Sequence, residues 1–280
     1  IHLHHPVDVA VQAAVVDHLI GNSRFIFGFG TGFAAPLFSV ERGLSFETRH
    51  ERTAESLELI LKCWTNDEPF DWEGKHWRGK GIIALPKPYR KPHMPIATAT
   101  ESDHMIALAA ERGYILLSAF FESPSQLRQK SRKYSDAAIR VGKANPLRNI
   151  SAARVTYIAR SEREAIEDLR SAVEYEVTIQ AERGFLKMLK SMFGIDMKAD
   201  RFAIERLVEA GFYNVGEPDA VAGKLKEFYD ASGGFGTLLV VTGKDWATRE
   251  KRANSLRMFM ENVAPQLRDL IPTDVEAGSV

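Results

Sequence analysis

The chain has 280 residues, of which 45% are hydrophobic and 26% charged, enough apolar surface to bury a core and enough charge to solvate the outside. Lys+Arg and Asp+Glu both number 37 and no polybasic tract occurs, which argues against nucleic acid or an anionic membrane as partner and points to a small molecule. Apolar runs such as Leu238 to Val241 fall far short of the roughly 20 residues a bilayer span needs, and a lone cysteine, Cys63, fits the reducing cytoplasm better than a disulfide-bearing exported protein.

Taken in order, the chain opens at Ile1 on His2, His4 and His5 with Asp8 nearby, a cluster that reads as solvated or capping side chains rather than metal ligands. With no H-E-x-x-H and no paired cysteines, no metal is expected. Pro6 suits a first helical turn, and Val7, Val11, Ala14, Val15 and Leu19 continue at helical spacing to Gly21. Arg24 to Phe29 is short, aromatic and apolar on both faces like a buried parallel strand, and Gly30-Thr31-Gly32 ends it. A second helix carries Leu57, Ile60, Leu61 and Trp64, with Cys63 in its packing stripe. Phe70 to Trp77 reads as a hairpin around Gly74, and the Pro-rich stretch 85–95 fits neither helix nor strand.

Strand and helix then alternate: strand Ile96 to Ala99, helix Ser102 to Arg112, strand Tyr114 to Ala119, helix Ser125 to Val141, strand Ile150 to Ala159 and helix Glu162 to about Gln180. Residues 184–211, with Met188, Met192 and Met197, interrupt the rhythm as an insertion, read either as a mobile cover or as a fixed element on the wall. Helix Ala220 to Ala231, strand Thr237 to Val241 and helix Thr248 to Val263 complete it. Five core strands are expected, about three βα units short of an eight-stranded barrel. The fold class is therefore α/β, a (β/α)8 TIM-type barrel in one domain over 1–280, lacking its first three units.

Two glycine- or hydroxyl-rich strand ends could hold a ligand. Thr98-Ala99-Thr100-Glu101-Ser102 brings hydroxyls to a helix start, where unpaired backbone N–H groups and the helix dipole favour a phosphate, though plain capping uses the same residues. Gly28-Phe29-Gly30-Thr31-Gly32 lets a ligand approach the backbone but does not complete a G-x-G-x-x-G fingerprint. The serines lack a G-x-S-x-G elbow.

RFIFGFGTGF after Asp17-His18-Leu19, GKHW with LPKPYRKPHMPI, TATESDHMIALAAERG, and VGEPDAVAGKLKEF with GGFGTLLVVTGKDWA together resemble the bacterial-luciferase-like flavin monooxygenases, in their limonene-monooxygenase-type branch. The resemblance covers nearly the whole chain. It implies that Glu101 and Ser102 hold FMN through backbone amides and a phosphate-directed hydroxyl, with Thr98 and Thr100 on the same strand end. Gly30, Thr31, Gly32 and Phe33 would lie along the flavin ring or its ribityl chain, and Ser118 at the next strand end. Thr31 stands where luciferases carry a phosphate-binding arginine, and Met105 replaces a further hydroxyl. The family's histidine base would lie upstream of Ile1, so no catalytic residue is assigned. The implied reaction uses O2 and reduced FMN, supplied by a separate NAD(P)H-flavin reductase, to oxygenate a small hydrophobic substrate in a cytoplasmic homodimer. A deazaflavin-dependent oxidoreductase and a non-catalytic flavin binder are the alternatives.

Overall fold

Helices and strands alternate along the computed structural model, which describes residues 1–21, 24–31, 47–181, 190, 204–243, 245–270 and 272. They fall into two units, one of residues 1–105 with 114–116, the other of 106–113 with 117–280. Apart from one hairpin, the described strands pair in parallel, so the α/β class with a mainly parallel sheet is found as expected.

In the first unit α1 (Pro6–Ile20) presents the small residues Ala10, Ala13 and Ala14, all buried, and packs on α2 (Arg49–Thr65) through Leu57, Ile60, Cys63 and Trp64. Small side chains let the helix axes approach closely, and the Trp64 indole N–H donates to the Ala10 carbonyl at 2.9 Å. Gly21, at φ 59°, ends α1 with its N–H on the Asp17 carbonyl. The hairpin of β2 (Phe70–Glu73) and β3 (Arg78–Ile82) is held by Glu55 of α2. The Glu55 carboxylate accepts the backbone N–H groups of His76 and Trp77, each at 2.9 Å, and the Trp72 indole at 3.3 Å. A Cβ on Gly74 would collide with that carboxylate, which is why the turn needs glycine there. The Pro-rich crossing is tied down by Asp17, whose Oδ2 accepts the Arg90 N–H at 3.1 Å, and by His18, whose Nε2 donates to the Lys87 carbonyl at 2.8 Å. β1 (Phe27–Gly30) pairs in parallel with β4 (Ile96–Ala99), which pairs with Ile115 and Leu116 of β5 (Ile115–Leu117). From β4 the chain enters α3 (Asp103–Arg112).

In the second unit every residue of β6 (Ile150–Ile158) is buried. Its C-terminal half pairs with β7 (Tyr213–Gly216) and its N-terminal half with β8 (Thr237–Val241), both in parallel. Around it lie α4 (Pro124–Arg140), α5 (Glu162–Ala181), the short α6 (Ile204–Glu209) and α7 (Pro218–Ser232). α4 starts on a capping box in which Ser123 and Gln126 bond each other's backbone N–H. One core gathers Val155, Tyr157, Leu169, Leu207, Phe212, Val215 and Trp246, and another gathers Ile158, Val221, Leu225, Phe259 and Val263. α8 (Arg249–Met258) passes through one π-helical turn, Phe259–Val263, into α9 (Ala264–Leu267), where Pro265 has no N–H to continue the four-residue ladder.

Among the described residues six strands thus run in parallel ladders where five were expected. The addition is β7, four buried residues leading straight into Glu217-Pro218, too short for an alternation to show. The expected helix 248–263 is present from Arg249, its last turn is π-helical, and helix continues to Leu267. His2 is buried rather than solvated, with its carbonyl accepting from Arg52 Nε at 3.0 Å, while burial and the positive groups around it push its imidazole down to about 4. Cys63 is fully buried, as its stripe predicts, and burial pushes the thiol up to about 11. Among the described residues no helix is long and apolar enough to cross a membrane, and no three His, Cys, Asp or Glu side chains gather as metal ligands would.

Candidate active site

The parallel register sets Gly30 beside Ala99 and Phe29 beside Thr98. The ends of β1 and β4 therefore share one C-terminal edge of the first unit, which brings Gly30 and Thr31 to the side of the turn from Thr98 to Ser102. Thr31 is buried, as are Thr98 and Thr100, whereas Glu101 is exposed and Ser102 half-buried. Gly32 and Phe33 lie outside the described residues, as do 184–189 and 191–203 of the expected insertion.

The hydroxyls differ in what they do. Thr100 Oγ1 accepts the Ser102 backbone N–H at 3.1 Å, a local turn that aims the chain into α3. Thr98 Oγ1 is buried, in a residue only 1% exposed, and has no hydrogen-bond partner among the described residues. A buried hydroxyl left unpaired costs about 1–3 kcal/mol, a penalty that a ligand bringing a partner removes. α3 starts with Asp103 in its first turn, where an acidic side chain already complements the helix dipole. An anion at this edge would therefore rely on hydroxyl and amide donors more than on charge.

Ser118 belongs to the second unit, directly after β5. Its Oγ accepts the Ala153 backbone N–H at 2.8 Å and donates to the Ala119 carbonyl at 3.3 Å, while its N–H bonds the Ser151 carbonyl. This hydroxyl and the Ser118 N–H together tie the residue after β5 to Ser151 and Ala153 of β6.

The loop after Ser118 is held by side chains that the sequence reading did not single out. Arg154, 3% exposed on β6, donates to the carbonyls of Glu122 (2.6 Å), Ala153 (2.8 Å) and Phe120 (3.4 Å), and its guanidinium lies 3.4 Å from the centre of the Phe228 ring. Burial lowers its pKa to about 10, against an opposing pull from Glu122. Glu122 Oε1 in turn accepts from Lys130 Nζ and the Ala119 N–H, both at 2.7 Å. An arginine inside the apolar run Ala152-Ala153-Arg154-Val155 was the available signal, because arginine is almost never fully buried without partners.

The chain matches the family model for luciferase-like monooxygenases over residues 1–234. It belongs to the luciferase-like monooxygenase family. A 4-hydroxyprotoasukamycin monooxygenase of Streptomyces nodosus subsp. asukaensis is 29% identical over 273 residues, 94% of this chain and 70% of that protein. The limonene 1,2-monooxygenase of Rhodococcus erythropolis is 24% identical, over 96% of this chain and 67% of its own, in keeping with the branch read from the sequence. The oxygenating constituent of 3,6-diketocamphane monooxygenase from Pseudomonas putida, a type II Baeyer-Villiger enzyme solved with FMN, superposes with a TM-score of 0.79 at 25% identity, covering 97% of this chain and 78% of that one. An F420-dependent secondary alcohol dehydrogenase shares the fold at a TM-score of 0.69, 17% identity, and 95% and 76% coverage. This luciferase-like chain is thus an oxidoreductase by kinship, with its hydroxyl-lined strand ends on the edge where α/β folds place their ligands.

Proposed function

We propose that the protein is a flavin-dependent monooxygenase that uses reduced FMN, delivered by a separate NAD(P)H-flavin reductase, and O2 to oxygenate a small hydrophobic organic substrate. The observation that carries the FMN reading is the buried, unpartnered Thr98 hydroxyl at the edge shared with Gly30 and Thr31. FMN would be held by the hydroxyls of Thr98, Thr100 and Ser102 and the backbone at Glu101, with Gly30, Thr31, Gly32 and Phe33 along the flavin and Ser118 at the neighbouring strand end. When bound, the reduced flavin supplies the electrons that activate O2, chemistry no side chain provides. What the chain's residues contribute is a fixed position and a site that excludes water. The proposal also comprises a cytoplasmic homodimer, one barrel domain over 1–280, and 184–211 as an insertion that bears on substrate access.

Titration of FMN into the protein, followed by substrate-dependent O2 uptake with a flavin reductase and NADPH, tests the reading. Ser102→Ala should weaken FMN binding about tenfold or more, the loss of one hydrogen bond to a charged group, with the melting temperature little changed. Binding of F420 in place of FMN, with hydride transfer and no O2 uptake, refutes it. FMN affinity unaffected by both Ser102→Ala and Thr98→Val removes the assigned site.

A further inference from the structure

One set of side chains in the second unit has no part in the proposed flavin site. Tyr213 of β7, Trp246 and Tyr157 of β6 are 6%, 3% and 2% exposed, and their rings follow one another at centroid separations of 5.7 Å and 6.4 Å. At one end Tyr213 lies against Phe212, which meets Phe120 in the loop after β5. At the other end the Tyr157 hydroxyl donates to Asp168 Oδ2 at 2.9 Å, and Asp168 pairs with Lys251. Asp168 and Lys251 line a surface groove of about 590 Å³, and Tyr157 borders a recess of about 80 Å³ beside it.

Packing alone accounts for three aromatic rings in a core, but two details go beyond packing. The Trp246 indole N–H is buried and finds no acceptor among the described residues, its edge resting on Gly243, where a Cβ would leave it no room. A buried indole N–H ordinarily has a partner. Tyr157, in contrast, is bonded to a carboxylate that opens onto solvent.

We propose that Tyr213, Trp246 and Tyr157 form a path along which oxidising equivalents leave the interior of this unit for the groove at Asp168 and Lys251. Tryptophan and tyrosine are among the most readily oxidised side chains, and rings this close exchange electrons by short hops. A one-electron oxidant, such as a photoexcited flavin or an oxygen-derived radical, removes an electron from Tyr213 or Trp246. With no acceptor for its N–H among the described residues, the Trp246 radical cation keeps its oxidising power and takes an electron from Tyr157. The Tyr157 phenolic proton passes to Asp168 in the same event. The balance is a reduced oxidant, neutral Trp246, a neutral tyrosyl radical at Tyr157 and a protonated Asp168. An ascorbate- or thiol-class donor at the groove then returns one electron while Asp168 returns the proton. The direction is set by the partners: Tyr157 can lose its proton to a carboxylate at once, and Trp246 cannot.

The test uses the full chain with Glu209→Cys, an exposed position three residues before Phe212, labelled with a ruthenium polypyridine photo-oxidant. Cys63 is buried with its thiol pushed up to about 11, so the label goes to the new cysteine. After a flash and quench, the radical is followed by transient absorbance and electron paramagnetic resonance as ascorbate is added. The expected result is a tyrosyl radical that ascorbate reduces quickly, with reduction slowed about tenfold or more, equivalent to about 1.4 kcal/mol of barrier, by Trp246→Phe and by Tyr157→Phe. Asp168→Asn should slow the appearance of that radical. Each of the two phenylalanine variants tests the path separately, so the loss of one to misfolding leaves the other. Ascorbate rates equal to those of the unsubstituted path in either folded variant overturn the proposal.

Discussion

Replacing Arg154 by methionine keeps most of the stem volume and removes the guanidinium, and the consequences follow from its contacts. Three carbonyls, of Phe120, Glu122 and Ala153, lose a charged donor, the Phe228 ring loses its cation, and Glu122 keeps only Lys130 and the Ala119 N–H. Removing one member of a buried charged set costs about 3–5 kcal/mol, because the remaining members stay desolvated without compensation. For a chain of this size each kcal/mol moves the melting temperature by roughly 2–4 °C, so Arg154→Met should lower it by about 6–20 °C. Differential scanning calorimetry measures the drop, and hydrogen exchange should show the amides of 119–123 opening faster than those of β6. The double variant Arg154→Met with Glu122→Gln should be less stable still, since Glu122→Gln takes the carboxylate from the buried Lys130 ammonium. A melting temperature within about 2 °C of the parent, with the loop amides still protected, would show that the guanidinium merely fills space.

Three further outcomes are expected. Thr98→Val, which replaces a hydroxyl without a partner among the described residues by a methyl of the same shape, should raise the flavin-free melting temperature by about 2–12 °C while weakening FMN binding, and a lowered melting temperature would mean that the hydroxyl has a partner after all. Glu55→Gln sets an amide N–H₂ or a lone oxygen against the three donors now on the carboxylate, so the hairpin should be destabilised by about 1.5–3 kcal/mol and the His76 and Trp77 amides should exchange faster, with unchanged exchange counting against the clasp. Cys63 should resist a disulfide reagent until the protein unfolds, and because its pKa is raised in the fold, the stability it contributes is present below its ordinary pKa near 9 and lost as the pH rises toward about 11. Cys63→Ala should therefore flatten the alkaline fall in stability, and rapid labelling of the native thiol would contradict its burial.

How far the sequence could be read depended on how local each signal was. Strands Ile96–Ala99 and Thr237–Val241 were read with their boundaries correct, and α5 to within a residue, because apolar runs and caps lie within a few residues of one another. β7 escaped because four residues buried on both faces carry no periodicity, and its status as a strand comes from β6, more than fifty residues away in sequence. The same distance hid the clasp between Glu55 and the hairpin, and the grip of Arg154 on the loop after Ser118. Burial of Arg154 and Glu122 depends on the two meeting each other, which no spacing within either segment encodes. The π-turn was foreseeable in part, since Pro265, two residues past the run read as helix, has no N–H to continue its ladder.

Within the candidate site the sequence put the hydroxyls of Thr98, Thr100 and Ser118 on one footing, and their hydrogen bonds separate them. A phosphate only accepts hydrogen bonds, so what counts is which hydroxyl has its hydrogen to give. Ser118 already gives its hydrogen to the Ala119 carbonyl and accepts from Ala153, so turning toward a ligand would break its bond to the Ala119 carbonyl. Thr100 accepts from the Ser102 N–H, which fixes its oxygen and leaves the hydroxyl hydrogen able to point elsewhere, at the expense of an amide donor that a bare helix start would have offered. Thr98 has neither role filled among the described residues. A ligand that takes its hydrogen bond gains the bond and also removes a desolvation penalty already present in the empty fold, whereas at Ser118 the gain is offset by the bond given up. Binding free energy at this edge therefore concentrates on Thr98, a core-facing position on β4, more than on the exposed residues of the turn that first drew attention to it.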